Sequence, residues 1–182
     1  MPVVLFVCTA NIIRSPIASA LFTRKLAAEG LGNWQVASAG TWARDGYPAA
    51  RESQELLRPM GIDLSRHRSR IVTEGLLKSA DLVLTMEQGH KEALRYEFPA
   101  FQDRVFLLSE MGGSGLPRST GSGLPRSTGS GLPRGTGRGM DVRDPVGGTK
   151  EDFQETIKDI QQLIDQGFSQ IVEWIDSRST TV

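Results

Sequence analysis

The chain has 182 residues with 21 basic and 21 acidic side chains, so no net charge draws it to nucleic acid or to an anionic membrane. One cysteine excludes a disulfide framework, and no apolar run is long enough for a membrane span or flanked as a secretory signal requires. A single domain in the cytoplasm is the expectation, a reducing place that suits a free thiol.

Val3 to Val7 is a continuous apolar, largely β-branched run, the pattern of a strand buried on both faces of a parallel sheet. It stops at Cys8, and Cys8-Thr9-Ala10-Asn11-Ile12-Ile13-Arg14-Ser15-Pro16 follows. From Ile17 the spacing turns helical, with Ile17, Leu21, Phe22 and Leu26 on one face. Pro16 suits a first helical position with Ser15 as its cap, which predicts a helix over Pro16 to Glu29. A strand, a tight loop and a helix N-terminus make an anion site, because the first-turn amides lack internal partners and the dipole's positive end faces the ligand. Alone, Cys8 reads as a small buried hydrophobe, as most free cysteines are. Arginine and serine at this spacing, at a strand-to-helix junction, favour a nucleophile beside a bound anion. Arg14 as a merely solvated residue is unattractive, since a cation at the positive end of a dipole needs a compensating anion. Asn11 suits a left-handed turn position and a hydrogen-bonding role in shaping the loop.

A second strand is predicted over Trp34 to Ala39, running into Ser38-Ala39-Gly40-Thr41 with Trp42 in the loop beyond, and then a helix over Pro48 to Pro59. Arg66, His67, Arg68 and Arg70 read as a solvated loop with one or two ion pairs. His67 and His90 are the two histidines and stand far apart, which argues against a metal site. Leu82 to Thr85 and Val105 to Leu108 read as strands, with a helix over Gly89 to Phe98 between them. Over 112–139 the composition shifts: Ser-Gly-Leu-Pro-Arg-Ser-Thr-Gly starts at Ser114, recurs at Ser122, and returns at Ser130 with Gly135 in place of serine. A repeat so poor in apolar residues buries no core, and a disordered insertion is expected. Its Arg118, Arg126, Arg134 and Arg138 leave open a role in attracting an acidic phosphoprotein. Asp144-Pro145 is an ordinary turn opener or a catalytic carboxyl, and Gly147-Gly148 leads into a helix over Lys150 to Ser177. Phe153, Ile157, Ile160, Ile164, Phe168, Ile171 and Ile175 form its apolar stripe. Alternating strands and helices imply an α/β, three-layer fold with a parallel sheet covered on both faces, its ligand beyond the carboxyl ends of the strands, where the Cys8 loop lies.

These residues resemble the low-molecular-weight protein tyrosine phosphatases, near the bacterial tyrosine and arginine phosphatase branch, whose phosphate loop reads Cys, five residues, Arg-Ser. Ser38-Ala39-Gly40-Thr41, Asp63-Leu64-Ser65 with His67-Arg68, Ala80 to Met86, and Asp144-Pro145 with Gly147-Gly148 are similar to further family landmarks, in family order. The resemblance implies a four-stranded parallel sheet of order 2-1-3-4. It implies dephosphorylation of protein phosphotyrosine through a phosphocysteine, with Cys8 as nucleophile, Arg14 holding the equatorial oxygens, and Asp144 as general acid and base. The amides of Thr9, Ala10, Asn11, Ile12, Ile13, Arg14 and Ser15 would cradle the phosphate, and the Ser15 hydroxyl would stabilise the thiolate. No metal or cofactor is needed on this reading, the partner is a phosphorylated protein, and a monomer is expected.

The chain departs from the family pattern at three places. Ile13 stands where many members carry a second cysteine, so an oxidised Cys8 has no internal disulfide rescue. Val146 replaces an aromatic residue after Asp-Pro, leaving Trp42 and Ile12 as candidate substrate walls, with Tyr47 beside them. Ala10 replaces a glycine, which requires a negative φ there. Arsenate reductases of this fold need further cysteines, and a silent phosphate-binding module needs neither thiol nor acid. Arginine phosphatases resemble the chain around Ser79 to Met86 but favour threonine where Ile12 stands, so phosphotyrosine is preferred.

Overall fold

The computed structural model describes residues 1–112 and 140–179. Strands β1 (Val3–Cys8), β2 (Gln35–Gly40), β3 (Leu82–Thr85) and β4 (Val105–Leu107) form a wholly parallel sheet in the order β2-β1-β3-β4, as expected. Helices α1 (Arg14–Ala28), α2 (Arg51–Leu57), α3 (Glu74–Ser79) and α4 (Gln88–Glu97) lie in the crossovers, and α5 (Lys150–Ser179) follows the last strand. Side chains alternate across a strand. Val4 and Phe6, with Leu82, Leu84 and Phe106, therefore pack against α1 and α5, while Leu5, Val7, Val83 and Val105 pack against Leu77 of α3 and Leu94 of α4. The continuous apolar run of β1 is the sequence trace of this double burial.

Every residue of the α5 stripe is buried, and Phe168 meets Phe22 of α1 at 5.8 Å between ring centroids. Gly167 lets the turn at Met111 approach α5, since a Cβ there would stand 2.9 Å from Met111 Cβ. A capping box starts the helix: Thr149 N–H donates to Asp152 Oδ2 at 2.7 Å and Asp152 N–H to Thr149 Oγ1 at 3.3 Å.

Element bounds differ from expectation for physical reasons. α1 starts at Arg14 with Ile13 as its cap and no side-chain cap bond, because the Ser15 hydroxyl is turned to Cys8 instead. Ala50 is extended and its N–H donates to Ile12 O at 2.8 Å, which delays α2 to Arg51. Pro59 removes a main-chain donor, and the helix tightens into a 3-10 turn over Arg58–Met60. α3, not foreseen, is capped by Thr73, whose Oγ1 accepts from Leu76 N–H at 3.3 Å. The repeat of 112–139 lies outside the described residues apart from Gly112, and none of the described helices is long and apolar enough to cross a membrane.

Candidate active site

β1 ends at Cys8 on the carboxyl edge of the sheet, and the chain turns through Thr9 to Ile13 into the N-terminus of α1. The main-chain N–H groups of this turn donate to no acceptor among the described residues, so they join the first-turn amides of α1 as donors for an anion. The turn is held from outside. Thr41 N–H donates to Cys8 O and Trp42 N–H to Thr9 O, both at 2.9 Å. Gly40 is required behind it, because a Cβ there would lie 2.3 Å from Thr9 O and 3.0 Å from Asn11 N. Asn11 takes the left-handed φ of 56°, and its amide Nδ2 donates to Ser15 Oγ and Ser38 Oγ, both at 2.9 Å. Its Oδ1 accepts from Arg70 N–H at 3.0 Å, and its carbonyl from His67 Nε2 at 2.7 Å. Asn11 is the one described non-glycine residue with positive φ, so the methyl of Ala10 is tolerated.

Cys8 is buried with Sγ 3.0 Å from Ser15 Oγ. Ser15 Oγ also receives the Asn11 amide and lies 3.2 Å from Ala39 O. One hydroxyl proton therefore has two acceptors. With Cys8 as thiol, S–H donates to Ser15 and Ser15 donates to Ala39 O; with Cys8 as thiolate, Ser15 turns its proton to sulfur and the Asn11 bond stays. Sulfur anion, hydroxyl, free amides and the positive end of α1 then form one electrostatic unit.

Arg14 is 1% exposed, so its charge must be met inside. Nη1 donates to Glu87 Oε1 and to Val142 O, the latter at 3.0 Å; Nη2 donates to Thr9 Oγ1 at 3.2 Å and to Asp144 Oδ2 at 2.5 Å. All terminal guanidinium hydrogens thus have protein acceptors, and Nε has none among the described residues. Val142 N–H donates to Met86 O at 2.8 Å and Asp141 Oδ1 accepts from Gln88 N–H at 2.7 Å. These two bonds strap the Asp144 segment to the end of β3. Val146 N–H donates to Asp144 Oδ1 at 3.1 Å, which leaves Oδ2 to Arg14.

The model of the low molecular weight phosphotyrosine protein phosphatase family matches residues 3–115. The chain belongs to that family. The protein-arginine-phosphatase of Bacillus subtilis is 34% identical over 165 residues, 90% of this chain and 92% of its own. Low molecular weight protein-tyrosine phosphatase A of Mycobacterium tuberculosis is 30% identical over 178 residues, 96% and 92% of the two chains. A solved cysteine-to-serine mutant of YwlE arginine phosphatase, with a phosphorylated active-site serine, is similar at a TM-score of 0.76 and 34% identity, covering 93% of this chain and 95% of that one.

Within this low molecular weight phosphatase the sequence-derived residues Cys8, Arg14, Ser15 and Asp144 converge on one loop, although Asp144 is 130 residues from Arg14. Trp42 leaves the loop rim 84% exposed and Val146 is 68% exposed, so neither fills the core, while Ile12 is half-buried. In the basic loop Arg66, Arg68 and Arg70 are exposed, as expected, but the expected ion pairs are replaced by carbonyl contacts among the described residues: Arg68 Nη1 donates to Ser65 O and His67 O, and Arg70 Nε to Ser38 O. The phosphate loop itself is reached by the His67 ring and by the Arg70 main chain. Burial pushes the His67 pKa down, with the Asn11 carbonyl bond opposing and Arg70 and Arg68 adding to the shift. A neutral ring donating from Nε2 is the result.

Two site residues escaped the sequence reading. Glu87 pairs with Arg14, and His90, 6% exposed, places Nε2 2.9 Å from Thr9 Oγ1 and 3.6 Å from Glu87 Oε2. Their signal was topological: Glu87 follows β3 at its carboxyl end, beside β1, where open parallel sheets bind ligands. His90 lies one helical turn further on.

Proposed function

We propose that this phosphatase dephosphorylates protein phosphotyrosine through a phosphocysteine intermediate, with Cys8 as nucleophile, Arg14 as phosphate clamp and Asp144 as general acid and base. The observation that carries the reading is the Asp144 carboxylate held 2.5 Å from Arg14, on the loop that presents Cys8. Cys8 sulfur, as thiolate, attacks phosphorus in line, the P–O ester bond breaks, and Asp144, displaced from Arg14 and in its protonated form, gives its proton to the leaving oxygen and becomes the carboxylate. Water then attacks the phosphocysteine, Asp144 takes a proton from it, the S–P bond breaks, and inorganic phosphate leaves. Ser15 and the amides of Thr9 to Ser15 stabilise sulfur and the equatorial oxygens. Trp42 and Ile12 flank the substrate ring, and the chain acts as one phosphatase domain interrupted at 112–139. Burst kinetics on p-nitrophenyl phosphate test this, since Cys8→Ser should abolish the burst while retaining phosphate binding.

A second reading, protein arginine phosphatase, has its own support. Glu87, Asp141 and Asp144 all lie close enough to act on His90 beside the clamp, an acidic mouth that suits a guanidinium leaving group, and exposed Val146 offers no ring. The likeness to the Bacillus subtilis protein-arginine-phosphatase agrees with it. Ile12 favours tyrosine. Phosphotyrosine and phosphoarginine peptides compared side by side decide between them, and Ile12→Thr should move preference toward phosphoarginine.

A further inference from the structure

His90 has no place in the chemistry above, yet its imidazole sits against it. Nε2 faces two oxygens, Thr9 Oγ1 at 2.9 Å and Glu87 Oε2 at 3.6 Å. A carboxylate only accepts, so a bare Nε2 lone pair there would be repelled, whereas an Nε2–H is attracted to both. Nδ1 is buried with no partner among the described residues. An unpaired N–H is the rarer and costlier of the two possible orphans, so Nδ1 is the bare nitrogen. Both observations give the same tautomer. Thr9 Oγ1 then accepts from His90 Nε2 and from Arg14 Nη2, which uses both of its lone pairs and fixes the oxygen between them.

We propose that His90 is a positioning residue for the phosphate clamp: its Nε2–H holds Thr9 Oγ1 as a fixed acceptor, so the Arg14 guanidinium keeps its place when a phosphoryl group takes over the edge now held by Asp144. The inference rests on the reading of Arg14 as the clamp. Glu87 closes the ring, reaching Arg14 with Oε1 and His90 with Oε2. Burial keeps the imidazole neutral against the pull of Glu87, Asp141 and Asp144, with Arg14 adding to the depression. The neutral donor is thus the working form near neutral pH.

The chain has two histidines, so a long-range proton–nitrogen spectrum resolves each ring. His67, donating from Nε2 to the Asn11 carbonyl, is the internal reference. His90 is expected to show the same Nε2–H pattern at pH 7.5 and to shift when inorganic phosphate is added. His90→Leu and Thr9→Val should each raise the inhibition constant of inorganic phosphate about tenfold, the worth of one hydrogen bond to a charged network, with a smaller change in kcat. His90→Gln, whose amide can donate from a similar position, should recover most of the loss, and the double variant should lose no more than either single one. An Nδ1–H pattern, a His90→Gln as weak as His90→Leu, or additive losses overturns the proposal. Should His90→Leu fail to fold, Thr9→Val and the tautomer decide. If inorganic phosphate fails to inhibit the unmodified protein, the clamp reading itself has failed, a result distinct from these.

Discussion

Asp144 Oδ2 accepts a hydrogen bond from Arg14 Nη2 at 2.5 Å, so the carboxyl and the cation of the site hold each other. The guanidinium edge carrying Nε and Nη2 is the one that takes two oxygens side by side, and Asp144 occupies half of it. On the proposed mechanism a phosphoryl group entering on that edge would displace the carboxylate from Arg14 and free it to meet the leaving oxygen. Clamping the substrate and presenting the acid would then be one event.

Replacing Asp144 by alanine should therefore separate turnover from binding. The loss of proton transfer lowers kcat by about 10²- to 10⁴-fold. Inorganic phosphate, relieved of an internal competitor, should bind at least as tightly. Steady-state kinetics on an aryl phosphate with phosphate as inhibitor read both quantities, and a parallel loss of phosphate affinity would show that Asp144 supports the clamp instead of competing for it.

Among the described residues the Ser15 hydroxyl is the one side-chain donor within reach of sulfur, at 3.0 Å. A hydrogen bond to a charged group contributes about 1.5–3 kcal/mol, so Ser15→Ala should slow alkylation of Cys8 by iodoacetate at pH 7 by roughly 10- to 100-fold. Orthovanadate should protect the thiol in the unmodified protein. Equal alkylation rates would remove Ser15 from the thiolate's support.

Much of this was legible in the chain itself. The apolar run of β1, the change to helical spacing at Ile17 and the α5 stripe are local patterns, and each states its element within two or three residues. Cys8, Arg14 and Ser15 were legible because one strand-turn-helix places all three. Glu87 and His90 were not, because they reach Arg14 and Thr9 across 73 and 81 residues and no spacing rule links them. His67 was misread for the same reason: charged neighbours suggest solvent, whereas its partner is a carbonyl 56 residues away. α3 spans six residues and buries Leu77 alone, too short to display a period. Ser15 shows a local rule overridden by function, a residue suited to capping whose hydroxyl serves sulfur.

Gly40 offers a steric test of the loop. Its added Cβ would meet Thr9 O at 2.3 Å, Ala43 Cβ at 2.9 Å and Asn11 N at 3.0 Å, and two of these atoms are main chain that cannot rotate away. Gly40→Ala should cost about 1–3 kcal/mol of stability as overpacking does, and weaken phosphate binding more than a remote variant of equal stability. Thermal unfolding alongside phosphate inhibition measures the pair.

The two histidines give a pH dependence of defined sign. Burial holds His67 and His90 below the ordinary histidine value, so the folded state binds fewer protons than the unfolded one. Their contribution to stability is complete above about pH 6.5 and is lost as pH falls through the folded values. The urea midpoint should drop between pH 7 and 5.5. His67→Gln, which can still donate to the Asn11 carbonyl but does not titrate, should flatten part of that slope, and adding His90→Gln should flatten more. An unchanged slope in the double variant would assign the acid sensitivity to carboxylates.

The repeat can be tested by removal, because both of its flanks are anchored independently of it. Met111 is fully buried and packs on α5 beside Gly167. Val142 is buried and bonded through its N–H to Met86 O at 2.8 Å at the end of β3. The Asp144 segment therefore takes its position from β3 and from Arg14, and closure of a surface loop changes only slowly with its length. Deleting residues 113–137, with a short glycine-serine bridge in their place, should leave kcat/KM on p-nitrophenyl phosphate within about twofold, a change well under 1 kcal/mol. A loss of turnover with unchanged thermal stability would show that the repeat takes part in catalysis. A loss confined to phosphoprotein substrates would instead give its arginines the docking role their composition leaves open.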